Sequence, residues 1–345
     1  MKGWMVGLLL AVVAVTAAAD GLPVCKMIAT GGTIAMRPAG PGGAPVPADS
    51  GDTLLAAVPE LEAIARMEVE TLFSVPSPHM SPARWVALHA AVRSALDREE
   101  VAGVIVTHGT DVLEETAFFL DLTVGGDKPV VLTGAMRDAS ARDFDGPRNL
   151  LAAARVCVSP ESRGRGAMLV MHDTIHAARE VRKGHTAQGG FHSGGAGALG
   201  AVSADTITFR RRPEWRQHVP LLLDELPRVD IVAMYPGASG DGIEAALAAG
   251  AQGIVVQALG LGNVNPAIAA AIESAMEAGI PVVIASRVPE GDVAPVYGYV
   301  GGGAALAEAG ATFAGDLSPH KARILLMLAL QHTEDVEAPR AYFER

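Results

Sequence analysis

The sequence predicts an α/β fold in two domains, a larger N-terminal one around a mainly parallel sheet and a smaller C-terminal one. Three observations predict it. Short apolar runs alternate with segments of helical spacing along most of the chain, the pattern of repeated βα winding. The 345 residues are half apolar but only 4% aromatic, so the core must be built mostly from Ala, Val, Leu and Ile. Two apolar runs end in glycine turns that carry threonines, Ala29-Thr30-Gly31-Gly32-Thr33 and Thr107-His108-Gly109-Thr110-Asp111. Open α/β sheets bind their ligands at such carboxyl ends of strands.

The elements follow in order. Val24–Ala29 reads as a buried strand. Thr53–Ala65 has helical apolar spacing, with Asp52 as its N-cap. Val69–Val75 alternates like a strand. Ser81-Pro82 opens a helix as N-cap and first helical residue, and Trp85, Leu88, Val92 and Leu96 form its apolar face. Val104–Val106, Pro129–Leu132 and Met168–Met171 are strands, separated by helices at Glu115–Leu122 and Asn149–Val158. Gly189–Gly200 reads as a loop. Arg210–Pro227, rich in Arg and Pro and without periodicity, reads as a linker, with Arg210-Arg211-Arg212 as a solvated charge run. A second unit then alternates strands at Ile231–Met234, Ile254–Gln257 and Pro281–Ala285 with helices at Asp241–Ala249 and Pro266–Ala278. It closes with a helix at Pro319–Gln331, capped by Ser318. The boundaries are therefore a leader at 1–19, an N-terminal domain at 20–209, a linker at 210–227 and a C-terminal domain at 228–345.

The leader has the form of an export signal. Lys2 supplies the positive charge, Met5–Val15 the apolar stretch and Ala17-Ala18-Ala19 the small-residue cleavage site, leaving Asp20 first in the mature chain. An exported, periplasmic or secreted protein is expected, without a membrane association after cleavage. A net charge of −11 argues against nucleic-acid binding. Cys25 lies in the first strand and Cys157 at the end of a helix. An oxidising compartment would permit a bridge, but two buried positions favour free thiols acting as small hydrophobes.

A threonine hydroxyl is a weak nucleophile and needs a base within hydrogen-bond reach, itself oriented by a third group. Thr110 and Asp111 stand side by side, and Lys183, just beyond the strand at Met168–Met171, is a candidate base if burial and neighbours lower its pKa. The same turns could instead serve as helix N-caps or anion cradles. Neither fits the dinucleotide fingerprint or the phosphate-binding loop. Glu114 and Glu115 read as partners of a helix dipole, and His108 as structural. His172-Asp173 has no metal-ligand spacing.

Together the motifs carry a resemblance. Ala29-Thr30-Gly31-Gly32-Thr33-Ile34-Ala35 and Thr107-His108-Gly109-Thr110-Asp111, followed by Glu114-Glu115-Thr116-Ala117, resemble the two active-site signatures of the bacterial-type L-asparaginase family, in its exported form. Lys128–Arg137, Asp145–Leu150, Leu226–Val232, Ser286–Pro289 and Lys321-Ala322-Arg323 extend the likeness over nearly all of the chain beyond the leader. The resemblance implies a two-domain amidohydrolase that needs no metal or organic cofactor and acts on a small amide. It implies that Thr33 attacks the amide carbonyl and that Thr110, Asp111 and Lys183 form a second triad. Asp111 would also pair with the substrate α-amino group and Ser77 would hold its α-carboxylate. Gly32 and Gly109 would bring backbone close, Ala135 would contact the leaving amide, and Asn265 would come from a neighbouring subunit of a homotetramer built as a dimer of dimers. L-asparagine is the substrate it favours; glutamine, D-asparagine, a β-aspartyl or other small amide, or an amino-acid-binding role are the alternatives.

Three departures stand out. The family's loop after the first threonine usually carries a tyrosine, and Met36–Ser50 has none. Pro78-His79 stands where a Gln-Asp pair is common. The late segment Glu290–Tyr297 is short, and no residue in it can be assigned to sensing the α-amino group.

Overall fold

A computed structural model describes residues 21–40, 42–187, 189–204, 206–333 and 335–344. The leader and its cleavage site at Asp20 lie outside these residues. The N-terminal unit runs β1 (Val24–Gly31), β2 (Met36–Pro38), β3 (Pro45–Pro47), α1 (Gly51–Ala56), β4 (Arg66–Val75) and α2 (Pro82–Leu96). It continues with β5 (Val101–Thr107), α3 (Leu113–Thr123), β6 (Val130–Thr133), α4 (Gly146–Val158), β7 (Ala167–Met171) and β8 (Thr174–Ala177). Four short strands complete it: β9 (Arg182–Lys183), β10 (Phe191–His192), β11 (Gly200–Val202) and β12 (Ile207–Phe209). The second unit comprises β13 (Val229–Ala233), α5 (Asp241–Ala248), β14 (Gly253–Ala258), α6 (Pro266–Glu277), β15 (Val282–Ser286), α7 (Gly303–Glu308), β16 (Thr312–Phe313), α8 (Pro319–Ala329) and α9 (Arg340–Phe343).

The first sheet has the order β12-β11-β8-β7-β6-β5-β1-β4. From β4 to β7 every neighbour is parallel, as predicted. β8, β11 and β12 add an antiparallel edge that the sequence reading did not contain. The chain leaves β1 toward β4 on one side and returns to β5 on the other. The crevice at the carboxyl ends of β1 and β5 is thus the point where the winding reverses, the place where such sheets bind ligands. Both threonine turns emerge there, and the register pairs Ala29 with Thr107. The second sheet, β13-β14-β15-β16, is wholly parallel.

Local chemistry explains most boundaries. Ser81 accepts the Arg84 N–H and Pro82 occupies the first turn of α2, whose predicted face of Trp85, Leu88, Val92 and Leu96 is buried. The first helix differs from expectation. Its cap is Ser50, which accepts the Thr53 N–H, and Asp52 lies inside the first turn. The helix stops at Ala56, and a separate 3₁₀ segment starts at Pro59, whose ring and missing N–H break the ladder.

The cysteines also differ. Cys25 and Cys157 are joined as a disulfide, with Cα atoms 6.7 Å apart. Helix α4 packs on the face of the sheet that holds β1, so two positions 132 residues apart meet in one apolar cluster. Arg210–Pro227 forms no regular element but is tethered rather than free. Arg211 pairs with Glu180, Arg216 Nε lies 3.3 Å from Asp121 Oδ1, and Val219 N–H donates to Leu122 O at 2.8 Å. Burial accounts for the Arg211 pairing better than a solvated charge run would, since its side chain is only 21% exposed.

One apolar core joins the two units. Trp85 and Leu88 of α2, Phe118 and Phe119 of α3, Val255 and Val283 of the second sheet, and Ile324 to Leu328 of α8 belong to a single cluster. Helix α8 therefore lies between α3 and the second sheet. Among the described residues no helix is long and apolar enough to cross a membrane.

Candidate active site

The site begins with two turns in direct backbone contact. Gly31 and Gly32 take φ of 98° and 82°, conformations open to glycine, and swing the chain away from β1. A Cβ on Gly32 would stand 2.2 Å from the Gly109 backbone, and one on Gly109 would stand 2.6 Å from Ser77 Cβ. Three loops, after β1, β4 and β5, thus converge within van der Waals range. The Thr30 hydroxyl, buried, donates to Thr107 O at 2.9 Å and ties the first two together.

Thr33 opens a 3₁₀ turn at Thr33–Ala35 and is half-buried, and its hydroxyl has no hydrogen-bond partner among the described residues. Thr110 is buried and opens the turn that leads into α3. Its Oγ1 accepts from Lys183 Nζ at 2.9 Å, and the same ammonium donates to Asp111 Oδ1 at 2.6 Å. Lys183 sits on β9, in a two-stranded ribbon with β10 that pairs it with Phe191. Its own N–H donates to Glu114 Oε2 at 2.7 Å. Ser77 is buried and its Oγ accepts the Asp111 N–H at 3.2 Å.

Ala135 is buried in the loop after β6, beside Gly134, whose added Cβ would stand 2.4 Å from His108 O. Buried Asn149 fixes this loop: Nδ2 donates to Gly134 O and to Asp145 Oδ2, both at 3.0 Å, and Oδ1 accepts the His172 N–H at 2.9 Å. Burial alone would raise the Asp145 pKa. Nearby His172 and the N–H groups of Met136 and Arg137 outweigh it and hold the carboxyl below its usual range.

The structure therefore brings together Gly32, Thr33, Ser77, Gly109, Thr110, Asp111 and Lys183, with Ala135 on the adjoining loop. Asn265 stands apart in the second unit. It caps α6, its Oδ1 accepting the Ile268 N–H at 2.9 Å while Nδ2 donates to Ala238 O at 2.7 Å.

His108 is structural, as read from the sequence. It is buried, with Nδ1 2.7 Å from Gly109 O and Nε2 3.1 Å from Thr116 Oγ1, which also accepts the Trp85 indole N–H. Burial pushes its pKa down to about 4, so the ring is neutral at pH 7. Glu114 and Glu115 lie in the first turn of α3, and burial raises the Glu115 pKa. Sequence reasoning missed that Glu114 also holds the lysine backbone. Its position three residues after Asp111, at the start of the helix, was the available signal. The loop without tyrosine folds as the β2–β3 hairpin, closed by an ion pair between Arg37 and Asp49.

Chemically, the arrangement offers an ammonium held between a hydroxyl and a carboxylate. A second hydroxyl stands on the neighbouring turn, with backbone groups of close-packed glycine turns beside both.

Both units match families of known proteins. Residues 25–215 match the model of the asparaginase N-terminal domain, and residues 228–343 that of the glutaminase/asparaginase C-terminal domain. A probable periplasmic L-asparaginase of Haemophilus influenzae is 39% identical over 96% of this chain and 95% of its own length. A probable L-asparaginase of Deinococcus radiodurans is 42% identical over 90% and 93%. L-asparaginase 2 of Escherichia coli is 36% identical over 95% and 94%.

Proposed function

The chain belongs to the asparaginase family, and we propose that it hydrolyses L-asparagine to L-aspartate and ammonia by acyl transfer to threonine. The observation that carries this reading is the triad, Lys183 Nζ within 2.9 Å of Thr110 Oγ1 and 2.6 Å of Asp111 Oδ1, on a turn packed against the one bearing Thr33.

Thr33 or Thr110 attacks the side-chain carbonyl. In the second case the hydroxyl proton passes to Lys183, which Asp111 holds in place, and from it to the leaving nitrogen. Backbone N–H groups of the turns stabilise the oxyanion. The leaving nitrogen is protonated and departs as ammonia, and water then cleaves the threonyl ester. Ser77 receives the substrate α-carboxylate and Asp111 its α-amino group. Gly32 and Gly109 give close backbone access, and Ala135 contacts the leaving amide.

Asn265 joins the site from a neighbouring subunit of a homotetramer. Exposed apolar side chains on the second unit support this reading: Tyr235, Leu261, Val288, Tyr297 and Tyr299 are all more than a third exposed, and Tyr299 lines a surface hollow with Asn265. The leader directs the protein out of the cytoplasm, in keeping with its periplasmic relative.

The test is ammonia release by the chain starting at Asp20, with L-asparagine, L-glutamine and D-asparagine. Turnover of L-asparagine that Thr33→Ala, Thr110→Ala and Lys183→Ala each abolish supports the reading. Release only from another amide moves the substrate, for which a glutaminase-asparaginase of Pseudomonas fluorescens, 33% identical over 92% of this chain, is a precedent among relatives. No release from any amide refutes it and favours a binding role.

A further inference from the structure

Lys321 lies in the first turn of α8, in the second unit, and is 1% exposed. A buried lysine is rare without partners. Its ammonium donates to Ala178 O at 2.9 Å, Arg179 O at 2.9 Å and Val181 O at 2.5 Å. Three donors meet three acceptors, so its capacity is filled. All three carbonyls belong to the turn that delivers Lys183, two residues further on. Phe118 of α3 lies 5.8 Å from the ammonium, and the Glu114 carboxylate acts on it through space. Glu114 is also the group that accepts the Lys183 N–H.

The rim of the same segment is held from the same side. Arg182 donates to Asp316 O at 2.7 Å and to Pro289 O. Arg179 pairs with Asp316 at 2.5 Å and stacks on Trp215 at 4.8 Å. By contrast, the β9–β10 ribbon has only two residues in each strand and no place in either main sheet. Its own ladder is too short to fix a side chain. The position of Lys183 is therefore set from two sides, by Glu114 of α3 in the first unit and by Lys321 and its neighbours in the second.

We propose that Lys321 is a positioning residue for the reaction, a buried ammonium that gathers the 178–181 carbonyls and so fixes Lys183 against Thr110 and Asp111. The proposal rests on the role given to Lys183 above. Lys321 touches neither the triad nor the substrate, so its loss is expected to alter the rate of the chemical step and to spare substrate binding.

The experiment compares Lys321→Met, Lys321→Arg, Lys183→Ala and Leu325→Ala, with steady-state ammonia release and circular dichroism for each. Leu325 is buried in the same helix, so its variant weakens α8 without touching the carbonyls. Lys321→Met is expected to lower kcat on the order of 100-fold, the scale of an ångström of misplacement, while KM changes less than about threefold. Lys321→Arg, which keeps charged donors, should recover much of that loss. Leu325→Ala should keep kcat near the wild-type value. A folded Lys321→Met enzyme with wild-type kcat, beside an inactive Lys183→Ala, overturns the proposal and leaves the triad intact. A Lys183→Ala enzyme of full activity refutes the triad reading instead. Should Lys321→Met not fold, Lys321→Gln, which keeps two neutral donors at the same position, takes its place: a lowered kcat at constant KM supports the proposal, and a wild-type kcat overturns it.

Discussion

Replacing Gly32 with alanine tests whether the two threonine turns must touch. The added methyl carbon would lie 2.2 Å from Gly109 Cα and N, and ordinary contact begins near 3.4 Å, so the turns must part by about 1.2 Å. The obstacle is backbone, which cannot rotate aside. Gly32 also holds φ 82° and ψ −178°, a region essentially confined to glycine, where another residue is strained by about 1–3 kcal/mol. Overpacking adds about 1–3 kcal/mol. A separation of this size between Thr33 and the Thr110 turn should reduce kcat on the order of 100-fold. The control is Gly126→Ala, where φ is +96° and the added carbon meets nothing within 4 Å. It carries backbone strain alone and should cost about 1–2 kcal/mol with kcat intact. Urea unfolding gives the stabilities and ammonia release gives the rates. Wild-type kcat in Gly32→Ala would refute the reasoning, because the turns would then tolerate separation.

Two further perturbations bear on stability. His108 and His176 are both buried with pKa values pushed down to about 4, by burial first in each case, and for His176 also by His192, Arg211 and His172. In this window the unfolded chain binds the proton that the folded one refuses. Stability is then full above the ordinary value near 6.5 and falls with pH toward about 4, by about 1.4 kcal/mol per pH unit for each ring. Urea titrations between pH 7 and pH 4.5 should show the decline, and His176→Gln should make it shallower; an unaltered slope in that variant argues against the assignment. Reducing the Cys25–Cys157 bond, which spans 132 residues, should lower stability by about 3–5 kcal/mol on the chain-entropy account. Identical unfolding curves with and without reductant would contradict that expectation.

How much was legible in the sequence follows from the range over which each signal acts. Caps and periodic faces are local, so Ser81, Pro82, Trp85 and Leu88 could be placed directly. The threonine turns were legible because glycine and hydroxyl residues mark a strand end wherever they occur. The antiparallel edge was not, since β8, β11 and β12 have only three or four residues each and the preceding stretch is dominated by Gly and Ser. Asp52 and Ser50 are both good caps, and only the burial of Gly51 under β4 decides between them. The pairing of Cys25 with Cys157 depends on how α4 lies across the sheet. Lys321 was the least legible of all: lysine belongs on the surface by composition, and the carbonyls that hold it lie about 140 residues earlier.

That separation also sets the order in which the site can be completed. Thr33, Thr110 and Lys183 are all made before the second unit begins, yet the turn beneath Lys183 has three carbonyls whose partner arrives only with α8, near the end of the chain. A nascent or truncated chain lacking α8 would hold every reactive group while leaving those carbonyls open to water. On the proposed role of Lys321, the seating of Lys183 is thereby tied to a helix about 140 residues beyond the carbonyls it gathers, and a copy cut before α8 would lack that support.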